Sequence, residues 1–179
     1  MFMASPKRGG TNMSEILVRS AVIPDAREMA SVHVECWRET YRGLVHNQML
    51  DDPHFVDRME DFWISTIQRL GVETRAVAVA ELNGKIIGIA SSISPRDPHS
   101  PWVIEIDTLY VLSGSHGSGA GSLLLDAIIG DLDAALWVID PNPRAQAFYR
   151  KNGFAPDGEV RNARIRAIRL VRRRESSHD

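Results

Sequence analysis

Cysteine is nearly missing from this sequence: Cys36 is the only one in 179 residues. That excludes an internal disulfide framework and any zinc centre built from several thiolates. Histidine does not fill the gap, because His46, His54 and His99 follow no interval that would bring ring nitrogens around one ion, so no metal is expected. No apolar run approaches the ~20 residues that span a bilayer. The first dozen residues, MFMASPKRGGTN, also lack the apolar centre of a secretion signal. The expectation is a cytoplasmic protein with no membrane partner. With 44% hydrophobic residues, the chain has the apolar content for one core and the length for one domain.

Net charge is small, but the two signs are unevenly spread. The overall balance is −2, yet Met1 to Pro143 carries 11 basic and 19 acidic residues, whereas Arg144 to Asp179 carries 10 and 4. A basic end on an acidic body suits a nucleic-acid partner. Against that, Arg164, Arg166 and Arg169 alternate with Ile165, Ala167, Ile168 and Leu170, the pattern of a strand with a solvated face. No interleaved aromatics accompany them, so no nucleic acid is expected.

Along the chain, residues 1–13 have no periodicity and read as a disordered head, 14–172 as one domain and 173–179 as a flexible tail. Ile16 to Val18 is a short strand. Ala26, Met29, Ala30, His33, Val34, Trp37 and Tyr41 recur at helical spacing, and so do Phe55, Met59, Phe62, Trp63, Ile67 and Leu70, with Gly71 as the stop. Asn83-Gly84 joins Arg75–Leu82 to Lys85–Ile93 as an antiparallel hairpin. A strand over Trp102–Leu112 leads through a glycine-rich loop into a helix starting near Leu123. Ala135–Ile139 is a strand, Pro143 to Asn152 a helix, and Phe154–Val160 with Arg164–Val171 a closing strand pair. The order β α α β β β α β α β β predicts a single mixed α/β domain.

The loop from Ser113 to Ser122 carries four glycines between an apolar strand and an apolar helix. Without Cβ atoms, several amide N–H groups can converge on one anion, and the helix dipole adds about half a positive charge there. The Gly-Lys-Ser/Thr ending of a triphosphate loop is absent, and a dinucleotide fingerprint would need Gly or Ala at Ser122 and a place after the first strand. Glycines alone leave a merely flexible turn as an equal alternative.

His116-Gly117-Ser118-Gly119-Ala120-Gly121 resembles the Gln/Arg-x-x-Gly-x-Gly/Ala signature of the GCN5-related N-acetyltransferases. The run from Asn142 through Ala145, Phe148 and Tyr149 to Gly153-Phe154 is similar to that family's Asn-x-x-Ala-x-x-Phe-Tyr-x-x-x-Gly-Phe block, and the element order agrees. The resemblance implies a mostly antiparallel sheet and acetyl-CoA as cosubstrate, with transfer to an amine by direct attack. It implies pyrophosphate on the amides of His116, Gly117, Ser118, Gly119, Ala120, Gly121 and Ser122. The pantetheine arm would pair with Leu109, Tyr110 and Val111, while Asn142, Ala145, Phe148 and Tyr149 line its other side. His116 and Ser118 stand where the family usually has basic or amide side chains, which implies weaker cofactor binding. Homodimers are a habit of that family, though no residue here establishes one.

By the same resemblance, Tyr149 is the acid that protonates the leaving thiolate. Attack needs a neutral amine, and amines have pKa values near ~10.4, so a base is required. Glu105 is the first choice, eleven residues before His116 as in several family members. Strand alternation puts Glu105, Asp107 and Leu109 on one face, where paired carboxylates raise one another's pKa; pairing of either with an arginine is the bland alternative. His33, Trp37 and Tyr41 share a helix face, which makes Trp37 and Tyr41 substrate contacts or core, and Asp107 a lesser site candidate. Two rivals stay open: a non-catalytic acyl-CoA-binding sensor of the same fold, and a nucleic-acid module using the arginine tail.

Overall fold

The computed structural model describes residues 15–162 and 165–173. The expected disordered head, most of the expected tail and Arg164 lie outside the described residues. Seven strands form one sheet in the order β1-β2-β3-β4-β5-β7-β6. They are β1 (Leu17–Ser20), β2 (Thr74–Leu82), β3 (Lys85–Ile93), β4 (Ile104–Val111), β5 (Ala134–Ile139), β6 (Ala155–Asn162) and β7 (Arg166–Arg172). Every neighbouring pair is antiparallel except β4 with β5. That exception follows from a helical crossover, which returns the chain in the same direction.

The helices are α1 (Ala26–Tyr41), α2 (Asn47–Leu50), α3 (Phe55–Gln68), α4 (Ala120–Ile129) and α5 (Pro143–Lys151). The short α2 is the one helix that apolar spacing does not anticipate, since a single turn shows no period. The hairpin expectation holds: Leu82 pairs with Lys85, and Asn83 and Gly84 adopt φ of +53° and +74°, the two positive values of a type I′ turn.

Two apolar layers sandwich the sheet. Ala78, Ala80, Ile104, Ile106, Leu136 and Val138 face α4 through Leu124, Leu125 and Ile128. Val77, Val79 and Ile89 face α1 and α3 through Met29, Ala30 and Trp63. Burying each such large side chain contributes roughly 1.5–3 kcal/mol. Gly88 sits where α4 comes closest, for a Cβ there would lie 2.9 Å from Leu124 Cδ1 and 3.1 Å from the Tyr110 carbonyl.

The stripe His33–Trp37–Tyr41 is split by depth. His33 is buried, with ring centroids of Tyr110 at 5.1 Å, Trp37 at 5.6 Å and Trp63 at 5.8 Å. Neither of its ring nitrogens has a hydrogen-bond partner among the described residues. Burial pulls its pKa from 6.5 down to about 4. The unfolded chain therefore binds more protons between those values, so stability is full above pH 6.5 and falls as pH drops toward 4. The loss expected from this one group is about 3 kcal/mol. Urea titrations across that interval should show it, and His33→Phe should remove most of the slope; an unchanged slope would refute the assignment.

Candidate active site

Strands β4 and β5 pair only over Ile104–Ile106 and Ala134–Leu136, then part. The parting coincides with a bulge: Ser91 pairs with Thr108 and Ser92 with Ile106, which leaves Asp107 as an extra residue. Beyond it, the β4 edge from Asp107 to Val111 faces a cleft of about 680 Å³. Its backbone N–H and C=O groups are available on that side because β5 has turned away.

The bulge also corrects an expectation. Alternation across it is interrupted, so Leu109 joins Ile104 and Ile106 in the layer against α4, on the face opposite Glu105. Glu105 and Asp107 do share a side, but Arg96 stands between them. Its Nη1 is 2.7 Å from Glu105 Oε2 and its Nη2 is 2.6 Å from Asp107 Oδ1. The repulsion expected of paired carboxylates is thereby neutralised by the Arg96 guanidinium, and the Arg96 backbone N–H also donates to Glu105.

At the end of β4 the glycine loop turns into α4. Gly117 and Gly119 hold φ of +80° and +93°, a region in which a Cβ clashes with the carbonyl. The Leu123 N–H bonds Gly119 O, whereas the amides of Gly119, Gly121 and Ser122 take no acceptor from the described residues. Those N–H groups meet the positive end of the helix dipole at the cleft wall. Gly121 has a different reason to lack a side chain: a Cβ would lie 3.2 Å from the Phe148 ring. Ser118 turns back, its hydroxyl donating to Ser115 O at 2.7 Å.

His116 lies 2.8 Å through Nε2 from the Val111 carbonyl. A carbonyl can only accept, so Nε2 carries the hydrogen and Nδ1 offers its lone pair, which receives Arg144 Nη1 from α5. Asn142 caps α5, its Oδ1 accepting the Ala145 N–H at 3.1 Å. Ala145, Phe148 and Tyr149 then face the cleft. Tyr149 is buried against Phe148 and Phe154, its hydroxyl has no partner among the described residues, and burial, aided by Tyr41, holds its proton well above the usual phenol range. Tyr41 also lines the cleft, and the hydroxyl of Tyr110 accepts from Trp37 Nε1 at 3.0 Å.

The family model described as Acetyltransferase (GNAT) family matches residues 30–154. The chain belongs to the GNAT acetyltransferase family. The probable N-acetyltransferase Rv2775 of Mycobacterium tuberculosis is 31% identical over 154 residues, covering 82% of this chain and 84% of that protein. The uncharacterized N-acetyltransferase YuaI of Bacillus subtilis is 27% identical over 165 residues, covering 87% and 91%. Among solved structures, the PaiA N-acetyltransferase of Thermoplasma acidophilum in complex with coenzyme A superposes with a TM-score of 0.68 at 20% identity, covering 87% of this chain and 98% of that one. A histone acetyltransferase HPA2-related acetyltransferase of Corynebacterium glutamicum gives 0.68 at 20%, covering 93% and 100%. These likenesses carry the fold.

In this GNAT protein the cleft gathers Tyr41, Asp107, Leu109, Tyr110, Val111, His116, Gly117, Gly119, Ala120, Gly121, Ser122, Asn142, Ala145, Phe148 and Tyr149 from four elements and their loops. It does not gather Trp37, Ser118 or Glu105. Trp37 packs behind Tyr110, Ser118 braces the loop, and Glu105 lines a smaller neighbouring cavity. Sequence reasoning missed Arg144, although it stands inside the Asn-Pro-Arg-Ala run, one helical turn before Phe148. Arg96 left no signal, since its carboxylate partners lie across a proline-rich loop.

Gly119→Ala should cost about 1–2 kcal/mol by forcing a Cβ into the left-handed region. Thermal unfolding measures it; a variant as stable as the parent would show that the loop relaxes to another path.

Proposed function

We propose that this GNAT protein transfers the acetyl group of acetyl-CoA to a primary amine, borne by a small molecule or a peptide, by direct attack within a ternary complex. The observation that supports this best is the continuity of an unpaired strand edge with unpaired helix-terminal amides along one cleft that Tyr149 also lines. An extended arm with amide groups fits the β4 edge as an added strand would. A pyrophosphate fits the amides of Gly119, Gly121 and Ser122. Arg144 beside His116 supplies charge that the loop itself lacks, which answers the weak-binding expectation and weighs against the sensor reading.

Bound acetyl-CoA would supply an activated acyl group and a thiolate leaving group. Tyr149 donates its proton to the departing sulfur, a role suited to a hydroxyl kept protonated by burial. Glu105 takes the amine proton from the acceptor side, directly or through one water. Its two oxygens accept from Arg96 yet retain lone pairs. Cys36 stays outside the reaction: it is buried, does not line the cleft, and its thiol is pushed up to about 12 by burial.

Thermal unfolding with CoA or acetyl-CoA tests the cofactor. Ligand at 100 times its dissociation constant should add about 2.7 kcal/mol, and no shift with either would overturn the proposal. Thiol release against an amine panel separates transfer from mere binding. Tyr149→Phe should lower kcat about a hundredfold with little change in the acetyl-CoA KM. Glu105→Gln should lower kcat about a hundredfold with acetyl-CoA binding unchanged; parent-like turnover would mean that proton removal runs through water alone.

A further inference from the structure

Across Trp137 from the cleft lies a second cavity of about 250 Å³. Trp137 lines both spaces, and Glu105 faces this one. Helices α1 and α3 pack over β2, β3 and β4. Farther along the same face, β5, β6 and β7 present Trp137, Arg161 and Arg169 instead of apolar side chains.

The charges here do not cancel. Arg96 is held by Glu105 and Asp107, and Arg169 bonds Asp157 at 2.7 Å while lying 4.8 Å above the Trp102 ring. Asp97, the remaining carboxylate of the cavity, accepts the His99 N–H. Arg161 is different, and Arg173, the fourth arginine of the lining, likewise takes no carboxylate among the described residues. The Arg161 guanidinium carbon sits 3.8 Å from the centroid of Trp137 and takes no carboxylate among the described residues. The indole holds the fork flat and shields one side from water, so its donors are pre-positioned for a planar or tetrahedral anion. Trp102, another wall, is buried, and its indole N–H has no partner among the described residues.

We propose that this cavity receives the anionic end of the acceptor: the amine that the protein acetylates carries a carboxylate or phosphate, read by Arg161 on Trp137. The inference rests on the acetyl-transfer reading above. Its geometry is economical, since an acceptor anchored on the far side of Trp137 extends its amine past Glu105 toward the cleft. A cationic end would meet Arg161 and Arg169, and a neutral end would leave the fork unpaired.

The test compares γ-aminobutyrate, n-butylamine and putrescine, which share a carbon skeleton and differ in the charge of the remote end. Phosphoethanolamine against ethanolamine separates phosphate from carboxylate recognition. An anionic acceptor should be preferred over its neutral match by about tenfold or more in kcat/KM. Arg161→Gln should collapse that preference through KM, Arg161→Lys should restore part of it, and the thermal shift with acetyl-CoA should stay as in the parent. Preference for putrescine, or an unchanged preference in Arg161→Gln, overturns the inference and leaves acetyl transfer standing. If no amine is turned over although acetyl-CoA stabilises the protein, calorimetric titration of γ-aminobutyrate and phosphoethanolamine into the CoA-loaded protein decides. Binding lost in Arg161→Gln supports the anionic site, and no binding of either overturns it. If neither CoA nor acetyl-CoA stabilises the protein, acetyl transfer falls and this inference with it.

Discussion

The separation of β4 from β5 is the constraint on which the rest depends. A parallel pair joined through α4 would ordinarily continue its ladder, and here it stops after Ile106 because Asp107 adds a residue to one strand. The freed edge creates a demand for hydrogen bonds that no group of the described residues meets along most of its length. Every other part of the cleft is placed relative to that gap. The glycine loop leaves from its open end, α4 aims its amides at it, and α5 closes the opposite wall with Phe148 and Tyr149.

Two kinds of aromatic packing support this opening. On the side of α1, Trp37 donates to the Tyr110 hydroxyl and packs edge-on against Tyr41 at the cleft, backed by a His33 ring kept neutral by its surroundings. On the side of β5 and β7, indole rings carry guanidinium groups instead, and Arg169, which alternation assigns to a solvated strand face, is half-buried between Trp102, Trp137 and Asp157. The division follows the cover: α1 and α3 exclude water from one half of that face, whereas the other half must satisfy its own polar groups.

Much of the fold was legible because its signals are local. Helical spacing placed α1 and α3, Asn83-Gly84 placed the hairpin, and Pro143 with Gly153 bracketed α5. The glycine loop was legible as a turn from strand into helix for the same reason. Glu105 was less so, for its neighbourhood depends on Arg96, which lies outside the strand and reaches it only after the loop folds back. Leu109 was placed on the wrong face because a bulge shifts the period of two and leaves no mark in composition. Gly121 was legible as a position of the family signature but not in its cause, since the ring that crowds a Cβ there comes from a helix more than twenty residues away.

By itself, then, the sequence determined whatever depends on neighbours along the chain: the kinds and order of the elements, the left-handed turns at glycines, and the caps. Only the tertiary structure decided which strand edge stays unpaired, that a guanidinium separates the two carboxylates, that Arg144 meets His116, and that Arg161 rests on Trp137 without a carboxylate. The physical reason is range. Turn and helix preferences act over a few residues, whereas charge partners and ring contacts are fixed by packing between segments that the sequence keeps far apart.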